Sequence, residues 1–317
     1  MIYTVTLNPA QDIFIDAPDF RPGTVNLASG LRRVWGGKGL NVARTLLSLG
    51  TPCVAMGIAC GSTGDGLVAG LKESGIPSDF VRAEGETRTN IKITDSTTGE
   101  TTDVNQPGPM VSTSALDELY ARLASRVRAG DTVALCGSLP KGVSDGVYGD
   151  WIRKLKALGA TIALDTSKTA LKQGLSAAPD VAKPNIHELS ELAGREINTA
   201  NHALSECKKL VSSGIRLVAL SLGEAGALFV RENEHVFVPG LKVQVFSTTG
   251  AGDALLAGLL SALERKDDLK NAAAFAVAVS ACHVSSPPGT PLQPKRIEQL
   301  FDRAKEITAL SRLESAF

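Results

Sequence analysis

The chain has 317 residues, enough for about two domains of ~150 residues each or for one large α/β unit with insertions. Lys and Arg number 33 and so do Asp and Glu, so no general positive field gathers nucleic acid or an anionic membrane, and any anion must be held locally. Mean hydropathy is +0.06 and no apolar run approaches the ~20 residues that cross a bilayer, so neither nucleic acid nor membrane is an expected partner.

The opening Met1-Ile2-Tyr3-Thr4-Val5-Thr6-Leu7-Asn8-Pro9 has no basic segment followed by an apolar one, and it predicts a first strand in a cytoplasmic protein. The 31 glycines and 4% aromatic content predict many tight turns around a core of Val, Leu, Ile and Ala, an α/β composition. Five cysteines, odd in number and without a C-x-x-C pair, suit reduced, buried thiols. From Asp12 to Trp35 apolar residues alternate, with Ile13, Ile15, Val25 and Leu27 on one face, and the alternation returns from Asn90 to Asn105 around a Ser96-Thr97-Thr98-Gly99 turn. Both segments predict antiparallel hairpins, either edge strands of a main sheet or one small covering sheet. Between them, Gly36, Gly37 and Gly39 let a ligand lie against backbone, Lys38 offers a point charge, and Asn41 opens a helix over 42–49 that Gly50 ends. Position 42 is Val where a dinucleotide fingerprint needs Gly or Ala, and no G-x-x-x-x-G-K-[ST] occurs anywhere.

The second half alternates strands and helices, the mark of βαβ units and a mainly parallel sheet. Residues 115–127 place Leu116, Leu119, Tyr120, Leu123 and Val127 at helical spacing. Buried strands are predicted at 133–136, 161–165 and 217–221, and Gly137-Ser138-Leu139-Pro140-Lys141-Gly142 follows the first as a ligand loop. Asn185 and Glu188, three apart, share the first turn of a helix. One amide and one carboxylate make a poor protein cage, but they suit Mg²⁺ held mainly by phosphates and water. The four histidines lack metal-ligand spacing. The strongest local signal is Ser247-Thr248-Thr249-Gly250-Ala251-Gly252-Asp253 before the small, apolar helical run 254–260. Glycines at a helix start turn backbone N–H groups inward where the dipole supplies about half a positive charge, which makes an anion cradle. A carboxylate directed at the same spot can take the proton of a hydroxyl attacking a phosphoryl group, although an Asp in a first turn is by itself an ordinary helix-start charge.

Gly250-Ala251-Gly252-Asp253 resembles the C-terminal signature of the ribokinase-like carbohydrate kinases of the phosphofructokinase B type. Gly36-Gly37-Lys38-Gly39-Leu40-Asn41-Val42-Ala43 resembles their N-terminal signature, Lys183-Pro184-Asn185-Ile186-His187-Glu188 their Asn-x-x-Glu segment, and the run 221–227 their nucleotide loop. This resemblance covers essentially the whole chain. It implies an α/β ribokinase-like unit over 1–317, with a mainly parallel central sheet, helices on both faces and a small inserted β-sheet lid from approximately 12–35 and 88–106. It implies Asp253 as catalytic base and Gly250, Ala251 and Gly252 as the cradle of the transferring phosphoryl group. ATP contacts are implied for Lys183, Asn185, Ser221, Gly223, Gly226 and Thr248, Mg²⁺ near Asn185 and Glu188, and sugar-phosphate contacts for Asp12, Gly37, Lys38, Asn41, Arg88 and Ser138. Taken alone, Arg88 is a solvated strand residue and Asp12 a turn carboxylate at a strand end. Lys141 stands where the family has a second Pro, and Gln11 where an apolar residue is usual.

The opening 4–10, with Lys38 and Arg88, is most similar to the 1-phosphofructokinase and tagatose-6-phosphate kinase subgroup. The expected reaction is ATP-dependent phosphorylation of a ketose phosphate, fructose 1-phosphate before tagatose 6-phosphate or fructose 6-phosphate. Kinases of nucleosides or unphosphorylated sugars are disfavoured by the two cations, and a noncatalytic sugar-phosphate sensor by the presence of Asp253. A homodimer formed through the lid is the one protein partner expected.

Overall fold

In a computed structural model of the chain, residues 1–310 and 313 are described. The first strand, β1 (Ile2–Thr6), is buried at every residue and pairs in parallel on both sides, so the chain starts in the middle of a sheet. Buried on both faces, such a strand has no reason to alternate polar and apolar residues. The chain then leaves this sheet for β2 (Ala10–Asp16) and β3 (Gly30–Gly36), enters α1 (Lys38–Ser48) and returns as β4 (Cys53–Cys60), α2 (Gly61–Glu73) and β5 (Ser78–Ala83). A second excursion makes β6 (Arg88–Thr94) and β7 (Thr101–Asn105). Alternation follows through α3 (Thr113–Arg126), β8 (Thr132–Cys136), α4 (Val147–Ala157), β9 (Thr161–Asp165), α5 (Lys168–Leu175), β10 (Val181–Ala182), α6 (Ile186–Ala193), α7 (Ala200–Ser212) and β11 (Leu217–Ser221). The antiparallel pair β12 (Gly226–Val230) and β13 (His235–Pro239) precedes α8 (Ala251–Glu264), α9 (Leu269–Val284) and α10 (Pro294–Leu310).

The main sheet runs β13-β12-β11-β10-β9-β8-β1-β4-β5, parallel except for β12 and β13. Successive residues alternate faces: Val133 and Leu135 enter one apolar core, Ala134 and Cys136 the other. Helices α1, α2, α8, α9 and α10 supply the second core and α3 to α7 the first. Strand order reverses at β1, with β4 and β5 on one side and β8 onward on the other, so the loops leaving the carboxyl ends of β1 and β8 open a crevice there.

The two excursions meet in a separate four-stranded sheet, β3-β2-β6-β7. Each is antiparallel internally, and β2 and β6 lie parallel, in register from Ala10 beside Arg88 to Asp16 beside Thr94. They therefore form one covering sheet and not edges of the main one. Val25 and Leu27, expected in a strand, lie in the loop between β2 and β3 and are almost fully exposed. Pro22 and Gly23, the latter at φ +81°, break the extended run, and Asn26 ties the loop by exchanging hydrogen bonds with the Arg21 backbone. Helix α1 starts four residues before its expected beginning at position 42. Gly37 caps it at φ +125°, a conformation that favours glycine, and Gly39 has no Cβ to strike the Val5 carbonyl and Thr6 side chain of β1. Asn41 consequently stands one turn inside the helix and does not open it.

Candidate active site

Two helix N-termini meet at the carboxyl edge of the main sheet, that of α1 after the lid and that of α8 after the 247–250 turn. Gly250, left-handed at φ +81°, caps α8 and places Asp253 in its first turn, 6% exposed. Asn41 of α1 donates from Nδ2 to Asp253 Oδ2 at 2.8 Å. Burial raises the Asp253 carboxyl above its ordinary value, Lys38 pulls it down and Asp165 pushes it up; the net direction is upward. A buried carboxylate whose affinity for a proton is raised, beside a glycine turn, is suited to receive a proton.

Around it stand two lysines and a second aspartate. Asp165, the last residue of β9, is completely buried and meets Lys38 Nζ at 2.6 Å and Lys183 Nζ at 3.2 Å. Burial alone would raise its carboxyl, but the ammoniums of Lys183 and Lys38 hold it below the ordinary value. Lys38, despite the burial that would lower it, is pushed above its ordinary value by Asp165 and then Asp253, and stays charged. Lys183 follows β10 and is 3% exposed; its Nζ lies 3.1 Å from where a Cβ on Gly252 would sit, so the ammonium faces the cradle. Lys38, expected on substrate phosphate, is thus paired with Asp165, for which no role is expected from sequence. A carboxylate ending an otherwise apolar strand, Thr161-Ile162-Ala163-Leu164-Asp165, was the available signal.

Two hollows flank the 248–252 turn. A groove of about 790 Å³ is lined by Asn185, Ser221, Gly223, Gly226 and Thr248, five of the six expected ATP contacts, and by Ala251 and Gly252 of the cradle. It also has an apolar wall of Val243, Val245, Leu255, Val277 and Val284, of which only Leu255 falls in a segment the sequence marks, the run 254–260. A smaller hollow beneath the lid is lined by Asp12, Asn41, Arg44, Thr249 and His283 among others. The turn is thus the partition between them. His283 Nε2, 2.9 Å from the Thr249 carbonyl, and Ser280 Oγ, donating to the Ala251 carbonyl at 3.0 Å, brace it from α9. His283, one of the four histidines without metal-ligand spacing, thus braces the partition.

The remaining expected contacts are more dispersed. Asp12 is not at a strand end but third in β2, buried, accepting from Asn90 of β6 at 2.8 Å; its carboxylate occupies the space a Cβ on Gly36 would need. Burial raises it above the ordinary aspartate value against the hydrogen bond from Asn90. Arg88, half-buried rather than solvated, donates to the Asn8 carbonyl at 3.1 Å and the Gln106 carbonyl at 3.2 Å, while its Nε has no partner. Ser138 is exposed and accepts from Asn8 Nδ2 at 3.3 Å. Gly37 caps α1 beside Lys38.

Asn185 and Glu188 form a reciprocal cap on α6: Asn185 Oδ1 accepts from the Glu188 N–H at 2.8 Å, and Glu188 Oε2 from the Asn185 N–H at 2.9 Å. One carboxylate oxygen is therefore spent on the helix. No group of three His, Cys, Asp or Glu side chains stands together as a metal site among the described residues. The single remaining carboxylate oxygen of Glu188, beside Asn185 of the groove, fits Mg²⁺ carried by phosphates and water, not a cation caged by protein.

With this geometry in place, comparison with known proteins is informative. The model of the pfkB family of carbohydrate kinases matches residues 5–296. A 1-phosphofructokinase of Xanthomonas campestris pv. campestris is 37% identical over 288 residues, covering 89% of this chain and 91% of the relative. A 1-phosphofructokinase of Escherichia coli K12 is 35% identical over 284 residues, covering 90% and 91%. The crystal structure of phosphofructokinase-2 from Escherichia coli in complex with fructose-6-phosphate superposes with a TM-score of 0.90 at 27% identity, covering 96% of this chain and 98% of that one.

Proposed function

The chain belongs to the pfkB family of carbohydrate kinases, phosphotransferases with an alcohol acceptor, and from that premise we propose that it transfers the γ-phosphoryl group of ATP to fructose 1-phosphate, giving fructose 1,6-bisphosphate. The observation that carries the reading is the glycine turn at 250–252, which separates a large groove from the hollow beneath the lid and has Asp253 immediately behind it. The choice of sugar rests on relatives that are 1-phosphofructokinases at 35–37% identity.

ATP lies in the groove, its base against the apolar wall of Val243, Val245 and Val277 and its phosphates toward Gly252 and Lys183. Asn185 and Glu188 are the residues that would hold Mg²⁺, which would supply neutralisation of phosphate charge. We assign the ketose phosphate to the hollow, its hydroxyls to Asp12 and Asn41, which line it, and its phosphate to Lys38, Arg88 and Ser138. Asp253 takes the proton of the attacking hydroxyl while the Gly250, Ala251 and Gly252 amides hold the charge developing on the transferring group. Two carboxylates and two ammoniums make the inner site neutral before the reaction; protonation of Asp253 leaves it one positive charge richer as the phosphoryl group passes. The lid excludes water that would compete as acceptor.

A second copy of the chain is the partner we infer for the lid. Every residue of β7 is exposed, and Leu31 and Val104 add apolar surface on the same small sheet. Sedimentation should show a dimer that Val104→Lys weakens; a monomer at micromolar concentration overturns this. The compartment we infer is the cytoplasm, where ATP is at hand and the five buried thiols stay reduced.

The deciding experiment is a coupled assay with ATP on fructose 1-phosphate, tagatose 6-phosphate, fructose 6-phosphate and free fructose. Fructose 1-phosphate should have the highest kcat/KM. Preference for another ketose phosphate moves the reading to that substrate, and free fructose turned over equally well removes the sugar-phosphate reading altogether.

A further inference from the structure

Arg44 was not singled out in the sequence, yet it stands one turn beyond Asn41 on α1 and lines the hollow beneath the lid. Its Nη1 donates to Asn41 Oδ1 at 3.1 Å and its Nη2 to the Trp35 carbonyl at 2.6 Å. Asn41 in turn donates from Nδ2 to Asp253 Oδ2. A guanidinium only donates, so the oxygen of the Asn41 amide has to face Arg44. Its NH₂ group is thereby turned to Asp253; the flipped amide would set a donor against donors and a carbonyl against a carboxylate.

Trp35 gives Arg44 a firm anchor. Its indole fills the space that Cβ atoms on Gly66 and Gly70 of α2 would need, so the carbonyl that receives Nη2 belongs to a residue wedged between lid and core. With Oδ2 of Asp253 held by Asn41, the carboxylate is fixed in rotation and Oδ1 is left to take the proton.

We propose that Arg44 is a positioning residue for phosphoryl transfer, locking the Asn41 amide so that its NH₂ group holds and orients Asp253. The proposal rests on Asp253 as the base. It assigns Arg44 no contact with the sugar or with ATP, and that separates it from a phosphate-binding arginine, which the lining of the hollow would equally allow.

The test is a double-mutant cycle with Arg44→Met and Asn41→Ala, assayed with ATP and fructose 1-phosphate. Loss of a charge-assisted hydrogen bond predicts a fall in kcat of about ten- to a hundredfold for Arg44→Met, with the KM for ATP unchanged. In the Asn41→Ala background the same substitution should cost less than about twofold, since the group through which Arg44 acts is gone. A full loss in that background, or a loss confined to the sugar KM, overturns the proposal and makes Arg44 a substrate ligand or a strut. If Arg44→Met does not fold, Arg44→Lys carries the same cycle: one ammonium replaces the two-nitrogen fork, and a partial loss of about three- to tenfold is expected, again absent without Asn41. Near-normal kcat in Asp253→Asn would instead remove the base itself, an outcome read independently of the cycle.

Discussion

Replacing Asp165 with Asn preserves volume and an acceptor oxygen but removes the charge shared by Lys38 and Lys183. Lys183 is 3% exposed and is then left buried without its counter-ion. Removing one partner of a buried pair costs about 3–5 kcal/mol, and the lower end applies because Lys38 lies nearer solvent and keeps Asp253 as a neighbouring carboxylate. At about 2–4 °C per kcal/mol for a chain somewhat shorter than this one, a loss of about 3 kcal/mol lowers Tm by roughly 6–12 °C. The dependence on pH has a definite sign. The two ammoniums hold the Asp165 carboxyl below its ordinary value in the folded protein, so the unfolded chain binds this proton first as pH falls. Its contribution is complete above the unfolded carboxylate value of about 4 and is lost as pH drops through the lower folded value. Thermal denaturation of both proteins from neutral pH downward should show the gap in Tm at its widest near pH 7 and closing on the acid side. Equal Tm values at pH 7, or a gap that widens in acid, would refute the pairing as a source of stability.

Asp253→Asn should lower kcat by roughly 10²–10⁴ with little change in either KM, and the wild-type acid limb of kcat should lie above the ordinary aspartate range because burial raises this carboxyl; near-normal kcat would return Asp253 to a helix-start role. Glu188→Gln should raise the Mg²⁺ concentration needed for half-maximal rate while leaving the sugar KM alone, and a metal titration that overlays the wild type contradicts the proposed metal contact. Arg88→Ala should cut kcat/KM for fructose 1-phosphate by about ten- to a hundredfold and spare the KM for ATP. An equal loss with free fructose would instead make Arg88 a strut between the Asn8 and Gln106 carbonyls.

What the sequence disclosed follows from how local each determinant is. Glycines that set a helix start, apolar runs that form central strands and a nucleotide loop following a strand are written in adjacent residues, and those elements stand where they were expected. The start of α1 was misplaced because what permits it is the contact of Gly39 with Val5 and Thr6, thirty-odd positions away, which no helical period records. The role of Asp165 is hidden for a similar reason: its partner Lys38 lies 127 positions away, and Lys183, which follows the neighbouring strand β10, joins them only at the sheet edge. The apolar wall of the groove is drawn from a loop and from α8 and α9, each of which reads by itself as ordinary core. Asn185 and Glu188 illustrate the converse, since their three-residue spacing was legible but is satisfied at once by a helix cap, leaving only one carboxylate oxygen for other work.

Charge accounting explains why the site carries Asp165 at all. Both substrates are anions, and two helix N-termini with two lysines would attract them more strongly without a buried carboxylate between the ammoniums. Unpaired, however, Lys183 would face desolvation at 3% exposure and Lys38 would be free to swing on its long stem toward whichever phosphate arrived. Asp165 fixes both ammoniums before any substrate binds, so their positions need not be reorganised as charge moves from ATP to the sugar. It also adds to the rise that burial gives the Asp253 carboxyl, because one anion close by resists the ionisation of another. In the proposed reaction, with Asp253 as base, ground-state attraction is thereby exchanged for fixed geometry and a stronger base. Such an exchange favours the transition state over the bound reactants, which is the condition for a faster chemical step.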